Sequence, residues 1–88
     1  VSLTLRPDVC ATDTADDGMV LLDEATGRYW QLNRTAALVL RSLLDGREPP
    51  DAARALCAAH PRLSAERAAA DAASITRSLI EARLVVTS

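Results

Sequence analysis

The sequence predicts a small α+β domain, a three-stranded antiparallel sheet followed by three helices, and three observations lead there. Its 88 residues suffice for one hydrophobic core and not for two. Its single Tyr and single Trp stand side by side in a stretch that alternates like a β-hairpin. That hairpin runs directly into three segments with the spacing of amphipathic helices.

The first element is residues 2–6, Ser-Leu-Thr-Leu-Arg, which alternate with a period of two and end at Pro7. This predicts a short half-buried strand with Leu3 and Leu5 on one face. From Thr12 to Gly18, Asp13, Asp16 and Asp17 stand among small residues, the pattern of a solvated loop. Their spacing lacks the alternate ligands and distal Glu of a calcium loop.

Met19–Asp23 and Arg28–Leu32 are predicted as two strands joined by Glu24-Ala25-Thr26-Gly27, with Gly27 free to take a positive φ. Pairing without a bulge sets Asp23 opposite Arg28, Leu22 opposite Tyr29, Leu21 opposite Trp30, Val20 opposite Gln31 and Met19 opposite Leu32. Opposite charges then meet at the mouth. One face carries Met19, Leu21, Trp30 and Leu32 and is the better core face. The other carries Val20, Leu22, Tyr29 and Gln31, unusually apolar for a sheet surface facing water, and is a candidate contact patch.

Asn33 is a natural N-cap for a first helix with Ala36, Ala37, Leu40, Leu43 and Leu44 on one stripe, ending at Asp45-Gly46. Pro49 or Pro50 suits the first turn of a second helix, whose Ala52, Ala53, Leu56 and Ala59 form its apolar face up to Pro61. Ser64 caps a longer third helix with Glu66 in its first turn and a buried stripe of Ala68, Ala72, Ile75, Leu79 and Ala82. Leu84–Val86 closes the chain as an extended tail. The element content is winged-helix-like, in one domain spanning residues 1–88.

Composition narrows the function. The chain is 49% hydrophobic but has no Phe, so its core is built from aliphatic side chains. A net charge of -2 disfavours a nucleic-acid partner, which calls for a basic face. A winged-helix DNA-binding regulator is the alternative reading. Its recognition helix would carry Arg67, Arg77 and Arg83, but Glu66, Asp71 and Glu81 offset them. No apolar run approaches the roughly 20 residues that span a bilayer. Two cysteines and no charged-then-apolar leader point to the cytoplasm.

No enzyme chemistry assembles. Cys57 and His60 are three apart on the second helix and imitate a thiol–base pair, but nothing with recognisable spacing supplies an oxyanion site or a third group. Cys57 reads as a core residue and His60 as a helix C-terminal residue favoured by the dipole. One His and a second Cys 47 positions from the first do not supply the closely spaced ligands of a zinc site. The glycines stand singly, so no phosphate loop or nucleotide cofactor is indicated. No Asp-Ser-Leu triplet marks a carrier protein's phosphopantetheine attachment site. The strand bearing Tyr29 and Trp30 has neither Pro nor Lys to guard its edge, so that edge is either covered within the fold, for instance by the tail, or used for strand addition.

The run Leu22–Asn33, with Gly-Arg-Tyr-Trp-Gln-Leu-Asn at its centre and Thr35-Ala36-Ala37 after it, resembles the PqqD-like peptide-recognition family. It is most similar to the stand-alone leader-binding members of lasso peptide biosynthesis. The resemblance implies a non-catalytic domain that binds a precursor's leader as a strand beside the third strand, in a groove toward the third helix. Lasso leaders of this kind carry a Tyr-x-x-Pro motif. Further implied partners are a separate leader peptidase and an ATP-dependent macrolactam cyclase. Carried onto this chain, Arg28, Tyr29, Trp30, Gln31 and Leu32 would form the backbone ladder. Trp30, Ile75 and Leu79 would form an apolar wall, with Asp71, Ser74 and Ser78 on the adjoining helical stripe as hydrogen-bonding positions. Val20, Leu22 and Tyr29 on the opposite face are the candidate peptidase surface.

Overall fold

The computed structural model describes residues 3–87, and the elements follow in the order β1 (Leu3–Leu5), β2 (Val9–Asp13), β3 (Met19–Asp23), β4 (Arg28–Leu32), α1 (Arg34–Leu44), α2 (Pro49–Ala59), α3 (Ala65–Glu81) and β5 (Val85–Thr87). A three-stranded antiparallel sheet, β2-β3-β4, precedes three helices, the α+β architecture expected. The hairpin register is also as predicted, from Asp23 opposite Arg28 to Met19 opposite Leu32 without a bulge. Gly27 takes a φ of 75° where the chain turns back into β4.

The first strand of that sheet differs from expectation. It is Val9–Asp13, running through part of the segment read as loop, and its residues pair with β3 from Val9 opposite Asp23 to Asp13 opposite Met19. Only Val9 on β2 is buried, so a strand of small and polar residues gives almost no alternation to read. Leu3–Leu5 is a strand, but it pairs with β5 in a separate two-stranded sheet; Ser2, included in the predicted strand, lies outside the described residues. The tail is thus committed to β1. Leu84 and Val85 are buried, so they anchor the chain's end in the core.

Helix ends follow their sequence signals. Asn33 Oδ1 accepts the Ala36 N–H at 2.9 Å and Ser64 Oγ accepts the Arg67 N–H at 3.1 Å, each satisfying an amide left free in a first turn. At the end of α1, Gly46 has a φ of 86°, and the N–H groups of Gly46 and Arg47 return to the carbonyls of Leu43 and Ser42. Pro49 opens α2, where the Glu48 N–H donates to Asp51 Oδ2 at 3.2 Å.

The core lies between the inner sheet face and the helices, with Leu21, Val39, Leu40, Leu43, Leu56 and Leu84 fully buried. Each such side chain contributes about 1.5–3 kcal/mol relative to exposure. The stripes differ at single positions. Val39 is buried although outside the predicted α1 stripe, and Ala59 is exposed because α2 ends there. On α3, Thr76 takes a buried place, its hydroxyl donating to the Ala72 carbonyl at 2.7 Å, while Ile75 and Ala82 are half-buried. Among the described residues no helix is long and apolar enough to cross a membrane.

Candidate functional site: an open strand edge beside a groove

Strand β4 is an edge of its sheet, bordered by β3 on one side. Which backbone groups it leaves free follows from the ladder. The Glu24 N–H donates to the Asp8 carbonyl at 2.8 Å and the Thr14 N–H to the Gly18 carbonyl at 3.1 Å, so the even-numbered residues of β3 bond toward β2. In an antiparallel ladder the alternate residues bond to the other neighbour. Met19, Leu21 and Asp23 therefore pair with Leu32, Trp30 and Arg28, and the N–H and C=O groups of Tyr29 and Gln31 point away from the sheet.

Beside this edge runs a groove toward α3. Its centre is an apolar cleft of about 240 Å³ lined by Trp30 and Leu32 from β4, Ser74, Ile75, Ser78, Leu79 and Ala82 along α3, and Ala36 and Leu84. Toward the start of α1 the groove becomes polar, a recess of about 320 Å³ where Asn33, Thr35, Asp71 and Ser74 meet Ala36 and Ile75. The Asp71 carboxylate is engaged there by Arg67 Nε at 3.4 Å. The other end, about 500 Å³, is lined by Trp30 and Ala82 together with Arg6, Asp23, Thr26, Arg28, Glu81 and Arg83. Shared lining residues, Ala36, Ser74 and Ile75 on one side and Trp30 and Ala82 on the other, set the three parts next to one another as a channel along β4 and α3.

Of the residues singled out in the sequence, Arg28, Trp30, Leu32, Asp71, Ser74, Ile75, Ser78 and Leu79 all line this channel. The side chains of Tyr29 and Gln31 do not, because period-two alternation turns them to the outer face; only their backbone serves the edge. Sequence reasoning missed Asn33, Thr35 and Ala36 as lining residues, although the N-cap signal placed them where β4 meets α1. It also missed Glu81 at the end of α3, and Arg6 and Arg83, which the β1–β5 pairing brings to the same end of the groove.

On the outer face, Cys10, Leu22 and Tyr29 form one cross-strand row and Thr12, Val20 and Gln31 the next. Tyr29 is 71% exposed and Leu22 39%. The Cys10 thiol donates to Glu24 Oε1 at 2.7 Å, and this hydrogen bond is the main reason its pKa is raised above the ordinary thiol value. Cys57 makes its polar contact with the Leu63 carbonyl at 3.9 Å rather than with His60. His60 caps the end of α2.

A family model described as coenzyme PQQ synthesis protein D, PqqD, matches residues 18–85. A solved structure of a lasso peptide synthetase B1 complexed with the leader peptide is 38% identical, with a TM-score of 0.85 over 99% of this chain and 100% of that one. TbiB1 in complex with the TbiA(beta) leader peptide is 22% identical, with a TM-score of 0.82 over 97% of this chain and 96% of that one, and so shares the fold. Among curated protein sequences there is no significant match.

Proposed function

The chain belongs to the PqqD family, and on that premise we propose that it binds the leader of a lasso-peptide precursor as a strand added to β4. The observation that carries the reading is the free backbone of Tyr29 and Gln31 beside a groove lined by β4 and α3. The β1–β5 pairing commits the tail to another edge, which argues against self-capping of β4. Four outward backbone groups supply about 1 kcal/mol net for each hydrogen bond made. Backbone pairing is blind to sequence, so selection falls to the side chains.

In this reading Trp30, Leu32, Ile75 and Leu79 receive an apolar or aromatic leader side chain, and Asp71, Ser74 and Ser78 offer partners for a tyrosyl hydroxyl. The chain supplies binding and presentation in the cytoplasm, and the bond-breaking and bond-making steps belong to a separate peptidase and an ATP-dependent cyclase. The outer row of Leu22 and Tyr29, with Val20 beside it, docks the peptidase. Its support is the exposure of large apolar groups on the face turned away from the leader.

Titration with a fluorescein-labelled lasso-type leader tests the site. Trp30→Ala is expected to weaken binding about 30-fold, roughly 2 kcal/mol. Ser78→Phe, which fills the cleft from an exposed position and removes no core side chain, should do likewise. Unchanged affinity in both folded variants would remove the groove from the site. Tyr29→Ser should lower peptidase association and precursor cleavage with leader affinity retained; cleavage at the wild-type rate would refute the docking face.

A further inference from the structure

At the end of the groove farthest from Asn33, Arg6, Arg28 and Arg83 stand with two carboxylates, Asp23 and Glu81. Asp23 is already spent. It is 5% exposed, lies 3.7 Å from Arg6 and accepts the Ala25 N–H at 3.0 Å. Among the described residues neither Arg28 nor Arg83 makes an ion pair. The guanidinium carbon of Arg28 lies 6.0 Å from the centre of the Trp30 ring, which places this cation beside the apolar cleft.

Arg83 is unusual for a second reason. Its φ is 59°, the left-handed region, at the position after the α3 cap where glycine is the ordinary choice. The N–H groups of Arg83 and Leu84 return to the carbonyls of Ile80 and Leu79, and the Arg83 carbonyl accepts from Arg6 Nη1 at 2.9 Å. The backbone is held in a conformation that its side chain disfavours. A strained residue at a groove mouth, bearing a cation without a counterion, points to a ligand for that cation.

We infer that Arg28 and Arg83 form an anion-recognising end of the groove that takes a carboxylate side chain of the bound leader. This rests on the groove being the leader site. Arg28 and Trp30 are two residues apart on one face of β4, and an added strand repeats that spacing. The acidic leader residue therefore stands two positions from the residue seated against Trp30. Guanidinium groups suit the task because their paired N–H donors match the two oxygens of a carboxylate. Glu81 is the one uncommitted carboxylate lining this end, and it opposes the same ligand.

The test uses the full chain and a fluorescein-labelled lasso-type leader whose acidic residues are all replaced by Gln. Matched versions carry a single Glu walked through it one position at a time. The readout is the ratio of Glu-peptide to Gln-peptide affinity within each protein variant, at low salt. One position is expected to give a gain of about tenfold in the wild type. That gain should vanish in Arg83→Gly, shrink in Arg28→Gln and grow in Glu81→Gln. Arg83→Gly should melt no lower than the wild type, because glycine fits the left-handed position, so a lost gain reflects a lost contact and not a lost fold. If the Gln peptide binds but no position gives an arginine-dependent gain, the inference is overturned and leader binding stands. If no peptide of the set binds, both are overturned.

Discussion

Cys10 reports on the outer face of the sheet because its chemistry is set by one neighbour. The Glu24 carboxylate accepts the thiol hydrogen bond and also repels the thiolate, so both effects raise the thiol pKa. Since the thiolate is the nucleophile, Glu24→Gln lowers that pKa and speeds alkylation. In a Cys57→Ser background, iodoacetamide should modify Cys10 several-fold faster at pH 8 in the Glu24→Gln variant, with the pH–rate midpoint moved down. An unchanged pH–rate profile would mean that the Glu24 contact does not hold in solution. Gly18 shows a different residue-scale constraint. A Cβ there would sit 2.7 Å from the Leu32 carbonyl and 2.9 Å from Thr14 Oγ1, so no side chain fits between the β2–β3 turn and the end of β4. That glycine lets the turn approach the point where β4 hands over to α1.

At the scale of elements, β4 divides its labour by parity. The backbone of Arg28, Trp30 and Leu32 holds β3 while their side chains line the groove, whereas Tyr29 and Gln31 offer backbone to the free edge and side chains to the outer face. Gln31→Pro tests the division. Proline is tolerated on an edge strand where its missing N–H faces solvent. The variant should stay folded by circular dichroism yet bind leader at least tenfold more weakly, having lost one donor and gained a ring on the docking edge; wild-type affinity would place the ladder elsewhere. The same parity explains what the sequence made legible. The Met19–Leu32 hairpin was readable to the register because a four-residue connection, a turn glycine and two apolar faces all agree. Strand β2 was not, since Cys10, Ala11, Thr12 and Asp13 are all exposed and bury nothing that would pattern them. The α3 stripe was legible in Ala68, Ala72 and Leu79, but Thr76 satisfies its hydroxyl within its own helix and so occupies a buried place that its polarity argues against. The arginine end of the groove was illegible, because Arg6 and Arg83 lie 77 positions apart in sequence and meet through the pairing of the first and last strands.

For the molecule as a whole, the groove and the core share material. Leu79 and Leu84 are buried in the cluster that holds the fold together and also line the cleft. A leader seated there binds the folded chain and not the unfolded one, so occupancy and stability are linked. At a free leader concentration about 100 times Kd the linkage amounts to about 2.7 kcal/mol. For a domain of this size that corresponds to a rise in Tm of roughly 10–20 °C. Differential scanning fluorimetry should show this rise with leader and little of it for Trp30→Ala. A saturating leader that left Tm unchanged would mean that the peptide binds the unfolded chain as well as the folded one.

Leu3 lies opposite Thr87 in the β1–β5 pair, so the two ends of the described chain leave the domain side by side. Paired residues in such a ladder have Cα atoms roughly 5 Å apart. The first and last described strands thus bring residues 3 and 87 together. A short bridge across that gap, with a new opening at Arg47 in the exposed connection between α1 and α2, would reorder the chain while leaving β4, α3 and the channel between them whole. Strand ends this close equally suit carrying residues 3–87 within a surface loop of a larger protein.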